Sequence, residues 1–332
     1  MNTNIVIFIK KENFNSKALN FVIQLFFMKV ASFLPAITQM LYDMGLQDSL
    51  EGITFECPAI ALSEKTKVVR CVMEGKNYTS DEINTLFSNS KKTGESLYYV
   101  DEDALAAIAP DIIFTQDVCE VCQIDTKCTA AAVEKLAKKP ILIPINPASL
   151  QDVLGAVSTI AAALGMPAVG KAHLQTLEAR IDAVIDKQRK FKLQQKSVLL
   201  LEWIDPLFNC GHWIPHQIGY AGGVDLLAHP SGDSIVISWD KIVQYNPEVL
   251  VIAPCGYTQE TTKKDMPFLT QRPEWKQLRA VQNKQVYIAD FDMFTQPSAS
   301  TLVNGVEALA KMIHPLHYEL PSHIASKFHS FL

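Results

Sequence analysis

Asp103-Ala-Leu-Ala-Ala-Ile-Ala-Pro-Asp-Ile-Ile-Phe-Thr115 and Asp240-Lys-Ile-Val-Gln-Tyr-Asn-Pro-Glu-Val-Leu-Val-Ile252 are two copies of one pattern, 137 residues apart throughout. Each copy opens on a short helical segment, passes through Pro and an acid, and ends in an apolar run. Proline disfavours helix at the residue before it, so each helix stops there. Ile112–Thr115 and Val249–Ile252 read as parallel strands covered on both faces. The echo predicts two related lobes, each a sandwich of helices and sheet.

Outward from the echo, the same grammar continues. Val30–Phe33 and Ile141–Ile145 read as strands of the first lobe, Val198–Leu201 and Val286–Ala289 as strands of the second. Helical patterns fill the gaps at Ala36–Gly45, Ser80–Ser88, Thr129–Lys138, Leu150–Leu164, Ile218–Ala221, Trp275–Ala280 and Thr301–Ile313. Strand and helix alternate, which predicts an α/β protein with mostly parallel sheets. Between the lobes, Leu174, Leu177, Ile181, Val184 and Ile185 recur at helical spacing, with no Gly or Pro from Lys171 to Lys190. Pro167 stands near the start, where it is tolerated. The expected organisation is an extension over 1–27, a lobe over 28–166, one long helix over 167–190, and a second lobe over 191–332.

Composition narrows the function. The chain has 332 residues, 48% hydrophobic and 20% charged, with a net charge of −5. Its Lys and Arg are scattered among a slight excess of acids, which excludes a nucleic-acid footprint. No apolar run reaches the ~20 residues that span a bilayer. Residues 1–27 depart from the pattern of a secretory signal, because Lys10, Lys11 and Glu12 interrupt the apolar stretch. No lipobox cysteine is present, the first being Cys57. That segment reads as an over-long start or an added arm, the alternative being a degenerate export signal or an interfacial anchor. Seven cysteines in a long chain do not make a disulfide framework, and reduced thiols suggest a cytoplasmic setting.

Open α/β sheets bind ligands at the carboxyl ends of their strands. Those ends carry Ser32-Phe33-Leu34-Pro35, Glu56-Cys57-Pro58, Gln116-Asp117-Val118-Cys119-Glu120-Val121-Cys122, Glu202-Trp203-Ile204-Asp205-Pro206, Gly211-His212-Trp213, Pro254-Cys255-Gly256-Tyr257 and Asp290-Phe291-Asp292, with Gln296 beyond. Aromatics, acids, Cys and Gly at these ends suit a large, flat, partly apolar ligand with a polar rim. No phosphate-cradling loop is present: Ala221-Gly222-Gly223-Val224 lacks the required spacing. Among Asp117, Glu120, Glu202 and Asp205 no nucleophile–base pair is legible, so no catalytic residue is expected.

With Ser32-x-Leu34-Pro35-x-x-Thr38, Thr54-x-Glu56-Cys57, Gly94-Glu95-Ser96-Leu97-Tyr98, Thr115-Gln116-Asp117-x-Cys119-Glu120-Val121-Cys122, Glu202-Trp203-x-Asp205-Pro206, Gly211-His212-Trp213 and Pro254-Cys255-Gly256, the chain resembles one branch of a known family. That branch is the cobalamin-binding one of the periplasmic binding proteins serving ABC importers of cobalamin, haem and iron–siderophores. The resemblance runs from about Met28 to Pro315. It implies two Rossmann-like lobes joined by a single long backbone helix, the class III periplasmic-binding-protein fold. It also implies a cobalamin or related corrinoid in the cleft as ligand, no catalytic cofactor, and a monomer that docks on an ABC permease at the periplasmic or cell-surface side. The ligand-binding residues it implies are Phe33, Leu34, Pro35, Glu56, Cys57, Gly94, Glu95, Ser96, Asp117, Cys119, Glu120, Trp203, Asp205, Gly211, His212, Trp213, Cys255, Gly256 and Gln296.

Other readings stay open. The same fold serves haem and iron–siderophore binders, although the Cys-bearing, Arg-poor loops disfavour a Tyr- or Arg-rich siderophore site. Cys119-x-x-Cys122 with Cys128, completed by His212 or Cys57, would make a cytoplasmic zinc or redox protein. His212 is a cobalt ligand, a donor to corrin amides, or a plain loop residue. Trp203 and Trp213 either stack on a corrin face or pack the core.

Overall fold

In the computed structural model, which describes residues 28–76, 78–116, 126–296 and 298–332, the two copies of the echo fold alike. The first forms helix Glu102–Ile108 and strand Ile112–Thr115, the second helix Trp239–Tyr245 and strand Val249–Ile252. Asp101 and Ser238 start the helices, their side chains accepting from the N–H groups of Ala104 and Lys241. Each thereby satisfies a donor that the first helical turn leaves without a partner. Ala109 and Asn246 end the helices, both left-handed at φ 48. The chain therefore turns one residue before each proline. The acid after the proline is the structural reason for the echo. Asp111 accepts from the Lys29 N–H at 2.8 Å, and Glu248 from the Ser197 N–H at 3.0 Å. Each acid pins its strand to the first strand of its own lobe.

The strands are β1 Val30–Ser32, β2 Leu50–Thr54, β3 Thr66–Cys71, β4 Tyr98–Val100, β5 Ile112–Thr115, β6 Ile141–Pro144, β7 Lys196–Leu201, β8 Gly211–His212, β9 Gly223–Val224, β10 His229–Pro230, β11 Val249–Ile252, β12 Val286–Ala289 and β13 Phe328–Ser330. The first sheet runs β4-β3-β2-β1-β5-β6 and the second β13-β12-β11-β7-β9, with β8 and β10 in a small separate ribbon. Pairing is parallel except at the β3–β4 and β12–β13 edges. The expected α/β class with mostly parallel sheets is what is found. β5, β11 and β12 are buried along their whole length. β6, by contrast, is an edge strand whose Ile141 is exposed.

One helix, Pro167–Phe191, joins the lobes. Its Leu177, Ile181 and Val184 enter a core shared with Ile37 and Val157 of the first lobe and Ile218, Val306 and Leu309 of the second. Gly170 permits the closest approach: a Cβ there would lie 2.5 Å from the Ala161 Cβ. On the far side Arg180 grips Glu307 through two bonds, 3.0 and 2.8 Å, and Asn304 through a third. A connection buried and clamped in this way is stiff, unlike a Gly/Ser linker.

Three helical expectations change. Trp275–Ala280 is not one helix: Trp275–Gln277 is a 3₁₀ turn and Arg279–Gln282 a separate short helix. The pattern at Ile218–Ala221 marks only the end of a helix that starts at Ile214 after Trp213. Ser80–Ser88 continues to Thr93, because the left-handed stop lies at Gly94, φ 73. Cap chemistry, more than apolar periodicity, decides these ends.

Candidate functional site

Both sheets present their strand carboxyl ends at one edge. β4 is antiparallel, and its first residue Tyr98 pairs with the last residue of β3, Cys71. Gly94-Glu95-Ser96-Leu97 therefore reaches the same edge as the ends of the parallel strands. In the second lobe β13 does likewise, its Phe328 pairing with Ala289 at the end of β12.

On the first lobe this edge separates into buried supports and one open acid. Phe33 and Leu34 are 1% and 5% exposed, and Pro35 is buried in the first turn of helix Pro35–Asp43. They hold β1 to that helix. Cys57 is equally buried, its thiol donating to Thr38 Oγ1 at 3.2 Å. Burial pushes that thiol up, away from the reactive thiolate. Gly94 ends its helix, Glu95 is exposed, and Ser96 accepts from the Tyr98 N–H at 3.1 Å. Glu56, between Phe55 and Cys57, is reachable by solvent. Yet enough protein surrounds its carboxyl for burial alone to push it up to about 7. Open to water but hemmed in by protein describes a group in a recess. Among the described residues it has no hydrogen-bonding or ionic partner.

The second lobe builds its edge around Glu202, directly after β7. Its carboxylate accepts from the Gly211 N–H at 3.0 Å and the Ser234 hydroxyl at 2.7 Å. Its carbonyl accepts from the Cys255 N–H. The side chain thus ties the end of β7 to the start of β8 and the 231–238 loop, and the backbone carbonyl ties it to the segment after β11. Burial raises this carboxyl to about 7, against the opposing pull of its two donors. Gly211 is required here, since a Cβ would lie 2.5 Å from the Gly232 carbonyl oxygen. His212 follows at φ 51, an uncommon left-handed geometry outside glycine. Its ring is about one-third exposed, lies over Trp213, and sits 3.8 Å from Asp233.

The two tryptophans part company. Trp213 is 9% exposed, and its indole N–H donates to the Phe294 carbonyl inside the shared core. It is a packing residue. Trp203 is half-buried, its N–H satisfied by the Asp205 carbonyl, with Tyr257 edge-on at 5.0 Å between ring centres. Phe208 bridges Trp203 on one side and Val236 on the other. Directly opposed residues share a face, so Trp203, Phe208 and Val236 form one apolar row. Val236 is 57% exposed and Ile235 51%. The exposed Cys255 and Gly256, at φ 75, lie at the adjacent β11 end, and Gln296 is half-buried beyond β12.

Asp117, Cys119, Glu120 and Cys122 lie outside the described residues, and so does the side chain of Cys128. Among the described residues no three His, Cys, Asp or Glu converge on a common point, and no helix is long and apolar enough to cross a membrane. From sequence Glu202 was one of four acids with no hub role assigned and Tyr257 only one residue of a strand-end run, while Phe208 and Val236 were not singled out. A glutamate directly after a strand was the available signal for the first. The row depends on pairing between segments that no local pattern reveals.

These features define a two-lobed binding protein with a bridging helix. Residues 30–293 match the family model described as periplasmic binding protein, and the chain belongs to that family. An uncharacterized ABC transporter substrate-binding lipoprotein of Bacillus subtilis is 21% identical over 293 residues, 86% of this chain and 80% of that protein. Two solved structures share the fold. The periplasmic heme-binding protein of Pseudomonas aeruginosa has TM-score 0.67 and 15% identity, over 90% of this chain and 96% of that one. The periplasmic vitamin B12 binding protein of Vibrio cholerae has TM-score 0.60 and 16% identity, over 88% and 98%.

Proposed function

We propose that the protein binds a corrinoid, cobalamin or a precursor, between the carboxyl edges of its two lobes and presents it to an ABC permease. The observation that carries this reading is the partly exposed apolar row of Trp203, Phe208 and Val236 against the buried Tyr257. A flat macrocycle can rest on such a wall, and removing the two surfaces from water supplies affinity. Glu56, Ser96, Glu202 and His212 are placed along the edges to meet polar groups at the macrocycle's rim. The clamped helix keeps the lobes nearly preformed, which lowers the ordering cost of binding. The Bacillus relative, an ABC transporter substrate-binding lipoprotein, supports the importer role and a place outside the cytoplasmic membrane. No step of this function is catalytic.

The likeness to the periplasmic heme-binding protein of Pseudomonas supports haem as the second reading. Titration with cyanocobalamin, cobinamide and haem, followed by visible spectra and calorimetry, separates the two. Micromolar or tighter corrinoid binding is the expected result, and its absence overturns the proposal. Loss of a cobalt-band shift on His212→Ala would assign that ring as an axial ligand.

A further inference from the structure

We propose that the cleft sorts ligands by charge through Glu56 on one lobe and Glu202 on the other, admitting neutral or cationic molecules rich in N–H donors and turning away polyanions. The proposal rests on the cleft reading above and sharpens it.

The loops that leave the parallel strands of both lobes are strongly one-sided. Their described residues include Glu56, Glu74, Glu202, Asp205, Asp233, Asp290 and Asp292, and Lys76 as the single Lys or Arg. Nearby cations are already matched. Arg70 forms a two-bond pair with Glu74. Lys327, before β13, lies 2.7 Å from Asp292 and 3.8 Å from Asp290. A protonated His212 would face Asp233. Lys76 is the exception: it is exposed and donates only to the Val72 carbonyl at 3.2 Å, so one cation stands against the acids of these loops.

The two glutamates are in the opposite condition. Glu56 has no partner among the described residues, and Glu202 has only the neutral Gly211 N–H and Ser234 hydroxyl. A poorly solvated carboxylate without a cation is unfavourable until a donor reaches it. Amide N–H groups or an ammonium on a ligand would fill that role. An anionic ligand would add like charge in a partly desolvated space, where water screens the repulsion poorly. Burial holds both carboxyls near 7, so both are ionised at pH 8.

The test measures, at pH 8, affinities for uncharged cyanocobalamin, for haemin with its two carboxylates, and for a trianionic ferric tris-catecholate. Wild type, Glu56→Lys and Glu202→Gln are compared. In the wild type the corrinoid should bind roughly 100-fold tighter than either anion. Each substitution should shrink that ratio by about tenfold. The ratio is taken within one preparation, so any loss of folded protein cancels. Anion binding as tight as corrinoid binding in the wild type overturns the proposal, as does an unchanged ratio in both variants. If none of the three ligands binds, no ratio exists, and the cleft reading falls first and takes this one with it.

Discussion

Glu202 should make the protein less stable as pH rises, and Glu202→Gln should remove that dependence. Its carboxyl stands at about 7 in the folded chain against an ordinary 4.5, because burial disfavours the charged form. The folded state therefore keeps a proton that the unfolded state releases. Stability from this group is fully present below about 4.5 and is lost as pH climbs to about 7. At about 1.4 kcal/mol per pH unit, the ceiling is about 3 kcal/mol between pH 4 and pH 8. Glutamine imitates the protonated acid: its carbonyl can accept from Gly211, and its amide can donate to the Ser234 hydroxyl. The variant should match the wild type within about 1 kcal/mol at pH 5 and exceed it by up to about 3 kcal/mol at pH 8. Urea unfolding followed by tryptophan fluorescence and circular dichroism at pH 5, 6.5 and 8 reads this directly. Asp225, raised to about 6, and Glu56, raised to about 7, leave a residual slope in both proteins. Parallel pH profiles for wild type and variant, or equal destabilisation at every pH, would refute the reasoning.

Four further outcomes follow from the same structure. Trp203→Ala should weaken corrinoid binding about tenfold in calorimetry by removing one end of the apolar row. Gly170→Leu drives a side chain into Ala161 where the bridging helix meets its neighbour; a loss of about 2–3 kcal/mol in urea unfolding is expected. Gln217→Leu strips the Met293 and Leu302 carbonyls of their shared donor, now at 2.9 and 2.7 Å; it should cost about 2 kcal/mol by the same assay. Asp111→Ala and Glu248→Ala should each cost about 1 kcal/mol, because they remove the same pin from equivalent places in the two lobes; a large loss in one and none in the other would break the structural equivalence.

Much of the fold was legible because the echo is dictated by local chemistry. A capped helix start, a left-handed stop, a proline, an acid and an apolar run are neighbours in the chain. Their consequences, helix Glu102–Ile108 and strand β5 repeated as helix Trp239–Tyr245 and strand β11, appear at the residues that carry the pattern. Strands β4 and β13 were not recognised, since short edge strands lack a continuous buried run; the interior strand β3 was missed because Thr66, Lys67 and Arg70 interrupt its buried positions. The site was only half legible. Listing the residues after each strand located the edge, but it gave Phe33, Leu34, Cys57 and Trp213 the same standing as Glu56 and Trp203. The first four are buried, and only the second pair remains within reach of solvent.

The sequence by itself therefore determined two related α/β lobes, the stiff helix between them, and the edge proposed to hold a ligand. Those depend on periodicity, caps and the direction of parallel strands, all properties of neighbouring residues. Tertiary structure alone decided which side chains remain open at that edge and what charge they present. Glu202 becomes a hub only when Gly211 and Ser234 reach it from separate loops. Trp203 becomes part of a wall only when Phe208 and Val236 line up beside it. Burial and desolvation are set by everything that surrounds a group, and most of that surrounding comes from distant parts of the chain.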